Sequence, residues 1–158
     1  MLRQVLLTVG RPRAEFATAC LEHYARRLKP YGGCALEWVR AERGGKGRSA
    51  GQVRRAEGQR LLERLGARDV VWVMDQRGRG WSSEQWAHNL RVAREGGAPR
   101  LVLVVGGAEG LDQAVRQRAQ AVVSLGPLTL AHELAACVVL EQLYRAHTIL
   151  AGTPYHRG

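Results

Sequence analysis

Short apolar runs alternate along this chain with segments whose apolar residues recur at helical spacing. The runs are Val5–Val9, Leu36–Val39, Val70–Met74, Leu101–Val105 and Ala121–Ser124. The longest helical pattern extends from His132 to Leu150. Strands separated by helices in this order pair in parallel, with helices packed on both faces of the sheet. The sequence therefore predicts an α/β fold with a mostly parallel sheet, formed by residues 1–158 as a single domain.

Two local patterns give more specific expectations. The strand 70–74 should end at Asp75, because the residues 77–80 are prone to form a turn. Ser82 or Ser83 can then cap the next helix. In the first helix, predicted over 14–28, every fourth residue is apolar and should face the core: Phe16, Cys20, Tyr24 and Leu28.

The chain carries a large excess of positive charge. It has 24 Lys and Arg against 14 Asp and Glu, a net charge of +10. This favours a polyanionic partner, with nucleic acid first and an acidic membrane surface second. Many of the cations lie in a Gly-rich stretch of residues 40–55, called here the basic segment: Arg40, Arg43, Lys46, Arg48, Arg54 and Arg55. We expect it to bind phosphates rather than serve solubility alone.

The cysteines indicate an intracellular protein without a metal site. Cys20, Cys34 and Cys137 are widely spaced, odd in number and outside any C-x-x-C motif. This pattern argues against zinc and against a disulfide framework, so reduced thiols in the cytoplasm are expected. The sequence shows neither a signal peptide nor a run of about 20 apolar residues that could span a membrane.

A glycine-rich turn stands between the most apolar strand and the helix that follows it. Its glycines, within 106–110, fit neither the dinucleotide-binding nor the phosphate-binding loop spacing, so alone they indicate only a tight turn. Ligands of parallel sheets bind beyond the carboxyl ends of the strands. The important loops should therefore be 75–80, 106–110 and 125–130.

Four motifs, the glycine-rich turn among them, occur together and in a fixed order. They are Gly106–Leu111 (GGAEGL), Leu128–Leu130 with His132 two residues on, Glu141–Ala146 (EQLYRA) and Pro154–Arg157 (PYHR). The ordered set resembles the ribosomal RNA large subunit methyltransferase H family, which are 23S rRNA pseudouridine N3-methyltransferases of the SPOUT superfamily. The resemblance extends over essentially the whole chain. It implies a C-terminal trefoil knot, which sequence rules would not propose because knots are rare.

The same resemblance implies the cofactor, the partners and the site. S-adenosylmethionine should bind in a bent shape within the knot, held largely by backbone groups. The chain should be a homodimer whose active site draws on both subunits, with the assembled ribosome as partner and neither a metal nor a membrane involved. The implied cofactor-binding residues are Met74, Gly106, Leu125, Gly126, Pro127, Leu128, Thr129 and Leu130.

The catalytic candidates come from the tail and from the start of the last helix. Tyr155 could stack on a base, Arg157 could hold a phosphate, and His156 could accept or relay the N3 proton. His132 lies beside the cofactor loop and could be a base or a structural histidine. The proton acceptor stays open between His132, His156 and water.

The last helix carries apolar residues around much of its circumference, which suits burial against the sheet on one side and a dimer partner on the other. Glu141 lies on its apolar face, where an ion pair with Arg145 is the first interpretation and contact with substrate the second. The chain has Ala131 and Ala136 where the family usually has proline and arginine. The alternative functions are a non-catalytic RNA-binding or ribosome-assembly factor and a methyltransferase acting on transfer RNA.

Overall fold

A computed structural model describes residues 2–157 and shows one five-stranded sheet in which every pairing is parallel. The strands are β1 (Arg3–Val9), β2 (Ala35–Val39), β3 (Val70–Gly80), β4 (Arg100–Val105) and β5 (Ala121–Ser124). Their order is β2-β1-β4-β3-β5. The helices are α1 (Glu15–Leu28), α2 (Ala50–Glu63), α3 (Ser83–Glu95), α4 (Gln113–Arg118) and α5 (His132–Ala151), with a 3-10 turn at Lys29–Tyr31. The predicted α/β fold is confirmed.

Helices cover both faces of the sheet because side chains of each strand point alternately to opposite sides. Leu6 and Leu103 contact the larger core layer, which includes α1, α3 and α5. Val5 and Val104 point the other way, into the layer that includes α2 and α4. None of the helices within residues 2–157 combines the length and apolarity that crossing a bilayer needs.

The core face of α1 differs from the prediction. Phe16 is 55% exposed, whereas Ala17, Leu21 and Leu28 are buried. A step of four residues overshoots one helical turn by about 40°, so three such steps rotate a side chain by about a third of the circumference. Phe16 lies at the far end of this rotation and leaves the core, although Cys20 and Tyr24 still pack against it.

Strand β3 also departs from the prediction, because it does not end at Met74. Its pairing with β5 stops there and resumes at Arg79, so the residues between form an irregular bulge. Gly78 makes this possible: a β-carbon at that position would lie 2.4 Å from the carbonyl oxygen of Val122. The absent side chain lets the two backbones touch, and the bulge projects residues 75–77 from the carboxyl edge of the sheet.

Local hydrogen bonds fix the start of α3 and the end of α5. Ser82 begins α3 with a capping box, since its hydroxyl accepts from Gln85 N at 3.1 Å and its own N–H donates to Gln85 Oε1 at 2.8 Å. At the other end of the chain, Gly152 closes α5 in a left-handed conformation, φ 69°. Thr153 N then donates to Thr148 O at 3.0 Å, which turns the tail back along α5.

Candidate functional site

A cavity of about 650 Å³ opens at the carboxyl end of the sheet. The bulge of β3, the glycine loop 106–110 and the loop 125–130 form its walls, as expected for a ligand site in a parallel sheet. It brings together most of the residues implied by the family resemblance: Met74, Gly106, Leu125, Gly126, Leu128, Thr129, Leu130 and His132. Pro127 belongs to the same loop but is not in the cavity wall.

The glycine loop exposes its backbone to the cavity because its glycine residues have no side chains. A β-carbon at Gly106 would lie 2.9 Å from the side chain of Leu111, so only glycine fits there without displacing a core residue. Gly110 adopts φ +82° and donates its N–H to Gly107 O at 3.0 Å. The loop therefore closes tightly and leaves peptide groups in contact with whatever fills the cavity.

The loop 125–130 is shaped by short polar contacts. Ser124 Oγ lies 3.1 Å from both the nitrogen and the carbonyl oxygen of Gly126, accepting from the first and donating to the second. Gly126 has φ +117°, a conformation that favours glycine. Gln76 Nε2 donates to Thr129 Oγ1 at 2.8 Å, which ties the β3 bulge to this loop.

Charged residues at the cavity are the part that sequence reasoning missed. Arg116 Nη1 donates to Leu111 O at 2.7 Å and lies 3.6 Å from Asp75 Oδ2. Arg54 Nη1 donates to Glu109 O at 3.3 Å. No sequence pattern predicts the position of Arg116, because only the fold brings α4 to the β3 bulge. The sequence predicts phosphate binding for Arg54 but not its place in the cavity wall.

The C-terminal tail is anchored in a cluster of aromatic and charged side chains rather than frayed. The Tyr155 hydroxyl donates to Glu141 Oε1 at 3.0 Å and lies 3.3 Å from the Tyr24 hydroxyl. The guanidinium of Arg145 stands over the Tyr155 ring at 4.7 Å from its centroid. Burial raises the pKa of Tyr155 above its ordinary value, and the contacts with Tyr24 and Glu141 raise it further. The phenol therefore stays protonated at neutral pH.

His156 is engaged through both ring nitrogens. Nδ1 lies 3.1 Å from Arg145 Nη1, and Nε2 lies 2.8 Å from Glu84 Oε1. A guanidinium can only donate, so Nδ1 is the acceptor and Nε2–H donates to the carboxylate. This bond from His156 lowers the pKa of Glu84. Arg157, the next residue, is exposed.

The expected ion pair on α5 is confirmed, since Arg145 binds Glu141 Oε1 through Nε at 3.0 Å and Nη2 at 2.6 Å. The tail therefore lies beside Glu141, nine residues and roughly 14 Å along the helix from His132. His132 is in the cavity wall, but none of the tail residues 155–157 is. A single chain thus does not bring the four catalytic candidates together.

The chain is similar in sequence to known proteins along its whole length. The family model described as "Predicted SPOUT methyltransferase" matches residues 2–156. The chain belongs to the SPOUT methyltransferase family. A protein of Anaeromyxobacter sp. (strain Fw109-5) named "Ribosomal RNA large subunit methyltransferase H" is 41% identical over 156 residues, covering 99% of this chain and 100% of its own length. A protein of the same name from Thermus thermophilus is 42% identical, with 99% of both chains covered.

SPOUT methyltransferases use S-adenosylmethionine as methyl donor, and the cavity fits such a molecule. Its volume is in the range of small-molecule sites, about 300–1,000 Å³. Glycine at position 106 lets the loop that lines the cavity pack directly against Leu111. Within residues 2–157, His, Cys, Asp and Glu side chains form no group of three that could hold a metal ion.

Proposed function

We propose that this SPOUT methyltransferase transfers a methyl group from S-adenosylmethionine to N3 of a pseudouridine in large-subunit (23S) ribosomal RNA, on assembled ribosomes in the cytoplasm. The observation that carries the proposal is the cavity formed by the glycine loop and the loop 125–130, in a chain that matches along its whole length relatives named for ribosomal RNA methylation. The family and the open cavity favour catalysis over a non-catalytic ribosome-assembly factor.

The cofactor-binding residues proposed are Met74, Gly106 and the loop 125–130, Pro127 included. When bound, S-adenosylmethionine supplies an electrophilic methyl on its sulfonium. The two glycine-containing loops would hold it through peptide groups, and the Ser124–Gly126 and Gln76–Thr129 hydrogen bonds tether the loop 125–130. Such positioning is what methyl transfer needs most, since the nucleophile only has to be held in line at near-attack distance.

The N3 proton of the base must leave as the new bond forms. His132 is exposed in the cavity wall and can reach a bound base. His156 has both nitrogens occupied by Arg145 and Glu84. Within this arrangement His132 or an ordered water is the better-supported acceptor, while His156 serves to hold the tail.

The tail and the cavity are proposed to meet across a homodimer. They are separate in one chain, so Tyr155, His156 and Arg157 can contribute to a cavity only if it belongs to a second copy. Two exposed apolar side chains support such an interface: Phe16 is 55% exposed and Leu134 is 41% exposed. They lie at the starts of α1 and α5, which are held together because Arg13 N donates to Glu133 Oε1 at 2.9 Å. The trefoil knot implied by the family stays a prediction.

The basic segment is proposed to bind ribosomal RNA phosphates beside the cavity. Arg43, Lys46 and Arg48 are exposed, and Arg54 joins the segment to the cavity wall. Reversing the charge of Arg43, Lys46 and Arg48 should weaken ribosome binding and flatten its salt dependence, because fewer counterions are released. An unchanged salt slope would place the phosphate contacts elsewhere.

The test of the function is transfer of labelled methyl from S-adenosylmethionine to assembled ribosomes and, separately, to free large subunits from cells lacking this gene. We expect label in large-subunit RNA, mainly from the assembled particle. Label in transfer RNA instead would favour the transfer RNA alternative. Cofactor binding without transfer to any RNA would favour the non-catalytic factor.

A further inference from the structure

A buried carboxyl group lies behind the glycine loop, outside the cavity wall. Glu57, on α2, is only 4% exposed. Its Oε2 accepts the backbone N–H of Glu42 at 3.1 Å. Its Oε1 has no hydrogen-bond partner among residues 2–157, although it is fully buried. Buried polar atoms without hydrogen-bond partners are rare, and each one lowers the stability of the fold.

The unpartnered oxygen lies against the glycine loop. A β-carbon at Gly107 would be 3.1 Å from Glu57 Oε1 and 3.1 Å from Val9 Cγ1. Gly107 lines the cofactor cavity. Such a β-carbon would also lie 3.3 Å from Oε2, so the whole carboxyl group packs beside Gly107 while Oε2 accepts from Glu42 in the basic segment.

The rest of α2 reinforces this bridge. Gly58 lets the helix approach α4 so closely that a β-carbon there would lie 2.9 Å from Asp112 Cβ. Arg60, one turn from Glu57, donates to Glu42 Oε2 and to Arg40 O. The segment at residues 40–42 and the glycine loop are therefore attached to the same helix, with Glu57 in contact with both.

The charge on Glu57 is disfavoured in this position. Burial raises the pKa of Glu57, and the carboxylates of Glu42 and Glu109 act in the same direction. The Glu42 N–H and the Arg60 guanidinium oppose them but do not cancel the shift. The side chain acts here through its length and its acceptor oxygens, which a neutral carboxyl or amide also provides.

We propose that Glu57 is a positioning residue that couples the basic segment to the glycine loop, so that ribosomal RNA and the cofactor bind cooperatively. This rests on the proposed RNA contact of the basic segment. RNA that orders the residues around Glu42 fixes the Glu57 carboxyl group, which in turn fixes Gly107 at the cavity. The coupling is reciprocal, so a filled cavity should also raise affinity for the ribosome.

The experiment measures ribosome affinity with and without saturating S-adenosylhomocysteine. We expect the wild-type protein to bind ribosomes about fivefold more tightly, or more, when the cavity is filled. Glu57→Asp keeps the charge but is one methylene too short to touch both segments, so the ratio should fall close to one. Glu57→Gln keeps the length and should retain the ratio. Glu63→Asp, the same change at an exposed position of α2, is the matched control.

A purely structural role would lower stability without changing the affinity ratio. If Glu57→Asp does not fold, Gly107→Ala provides a second test. Its methyl group would crowd Glu57 Oε1 and should also lower the ratio of ribosome affinities. A wild-type ratio of one, or an unchanged ratio in Glu57→Asp, would overturn the coupling while leaving methyl transfer intact. Failure of the wild-type protein to bind or methylate ribosomes would instead overturn the proposed function, and the coupling with it.

Discussion

The hydroxyl of Tyr155 donates a hydrogen bond to Glu141 Oε1 at 3.0 Å, and the same oxygen accepts from Arg145 Nη2 at 2.6 Å. A tyrosine near the end of the chain therefore completes an ion pair in the middle of the last helix. This contact holds the tail against α5, two residues before the exposed Arg157.

Tyr155→Phe should lower the free energy of unfolding by about 1 kcal/mol, the usual worth of one hydrogen bond. Glu141→Ala should cost more, because it removes the acceptor of both the Tyr155 hydroxyl and the Arg145 guanidinium. Since both changes remove the same contact, the double variant should cost less than the sum of the two by about 0.5 kcal/mol or more. Urea unfolding of the four proteins measures this, and strict additivity would show that the Tyr155 bond contributes nothing.

Arg157→Ala should reduce methylation of ribosomes about tenfold or more, the equivalent of one charge-assisted hydrogen bond. Because Arg157 is exposed, the free energy of unfolding should not change. Initial rates of methyl transfer under limiting ribosome provide the measurement, and Arg68→Ala, at another exposed arginine, is the control. Equal rates in wild type and Arg157→Ala would remove the tail from the active site.

Gly78→Ala tests the bulge of β3. The new methyl group would lie 2.4 Å from Val122 O, so β3 and β5 must separate, at a cost of about 3 kcal/mol. Residues 75–77 line the cavity, so binding of S-adenosylmethionine should weaken as well. In Gly80→Ala the methyl group meets nothing within 4 Å, and the stability should stay within about 0.5 kcal/mol of wild type. Equal stability of the two variants, by thermal unfolding, would contradict the close contact at Gly78.

His147 should make the stability depend on pH. It is 5% exposed, and its Nε2–H donates to Gln4 Oε1 at 2.5 Å. Burial lowers the pKa of His147 to about 4, with a smaller contribution from Arg94. The unfolded chain, with an ordinary histidine pKa of about 6.5, therefore binds the proton more readily than the folded protein.

It follows that the stability contributed by neutral His147 is complete above about pH 6.5 and is lost as the pH falls toward 4, by up to about 3 kcal/mol. His147→Gln keeps a donor for Gln4 and should flatten this dependence in urea unfolding between pH 7 and pH 4.5. His88→Gln, at an exposed position, should leave it unchanged. The same slope in all three proteins would mean that His147 titrates normally.

Much of the fold can be predicted from the sequence, because the spacing of apolar residues and the residues that cap helices are local signals. The strands at Val5–Val9 and Leu101–Val105 and the cap at Ser82 are examples. The continuation of β3 past Met74 could not be predicted, because it depends on contact between Gly78 and a strand more than 40 residues away. The prediction that Phe16 faces the core is wrong, because a repeat of four residues drifts away from the 3.6-residue period of a helical face.

The residues of the candidate site are likewise predictable only in part from the sequence. The residues of the cavity loops, such as Gly106 and Thr129, could be named from ordered motifs, and the structure brings them together. Arg116 and Glu57 carry no motif, since their positions depend on how α2 and α4 dock. The separation of Arg157 from the cavity could not be read from residue spacing either, because it follows from the turn at Gly152 and the Glu141 contact.

The most direct measurement is nucleoside mass spectrometry of large-subunit RNA from ribosomes lacking the modification, after incubation with this protein and S-adenosylmethionine. We predict a single new 3-methylpseudouridine with the wild-type protein, and none with Gly106→Val, whose side chain would clash with Leu111 and Gly110 and distort the glycine loop that lines the cavity. No methylated pseudouridine with the wild-type protein, or equal yield with Gly106→Val, would contradict the proposed methyl transfer from this cavity.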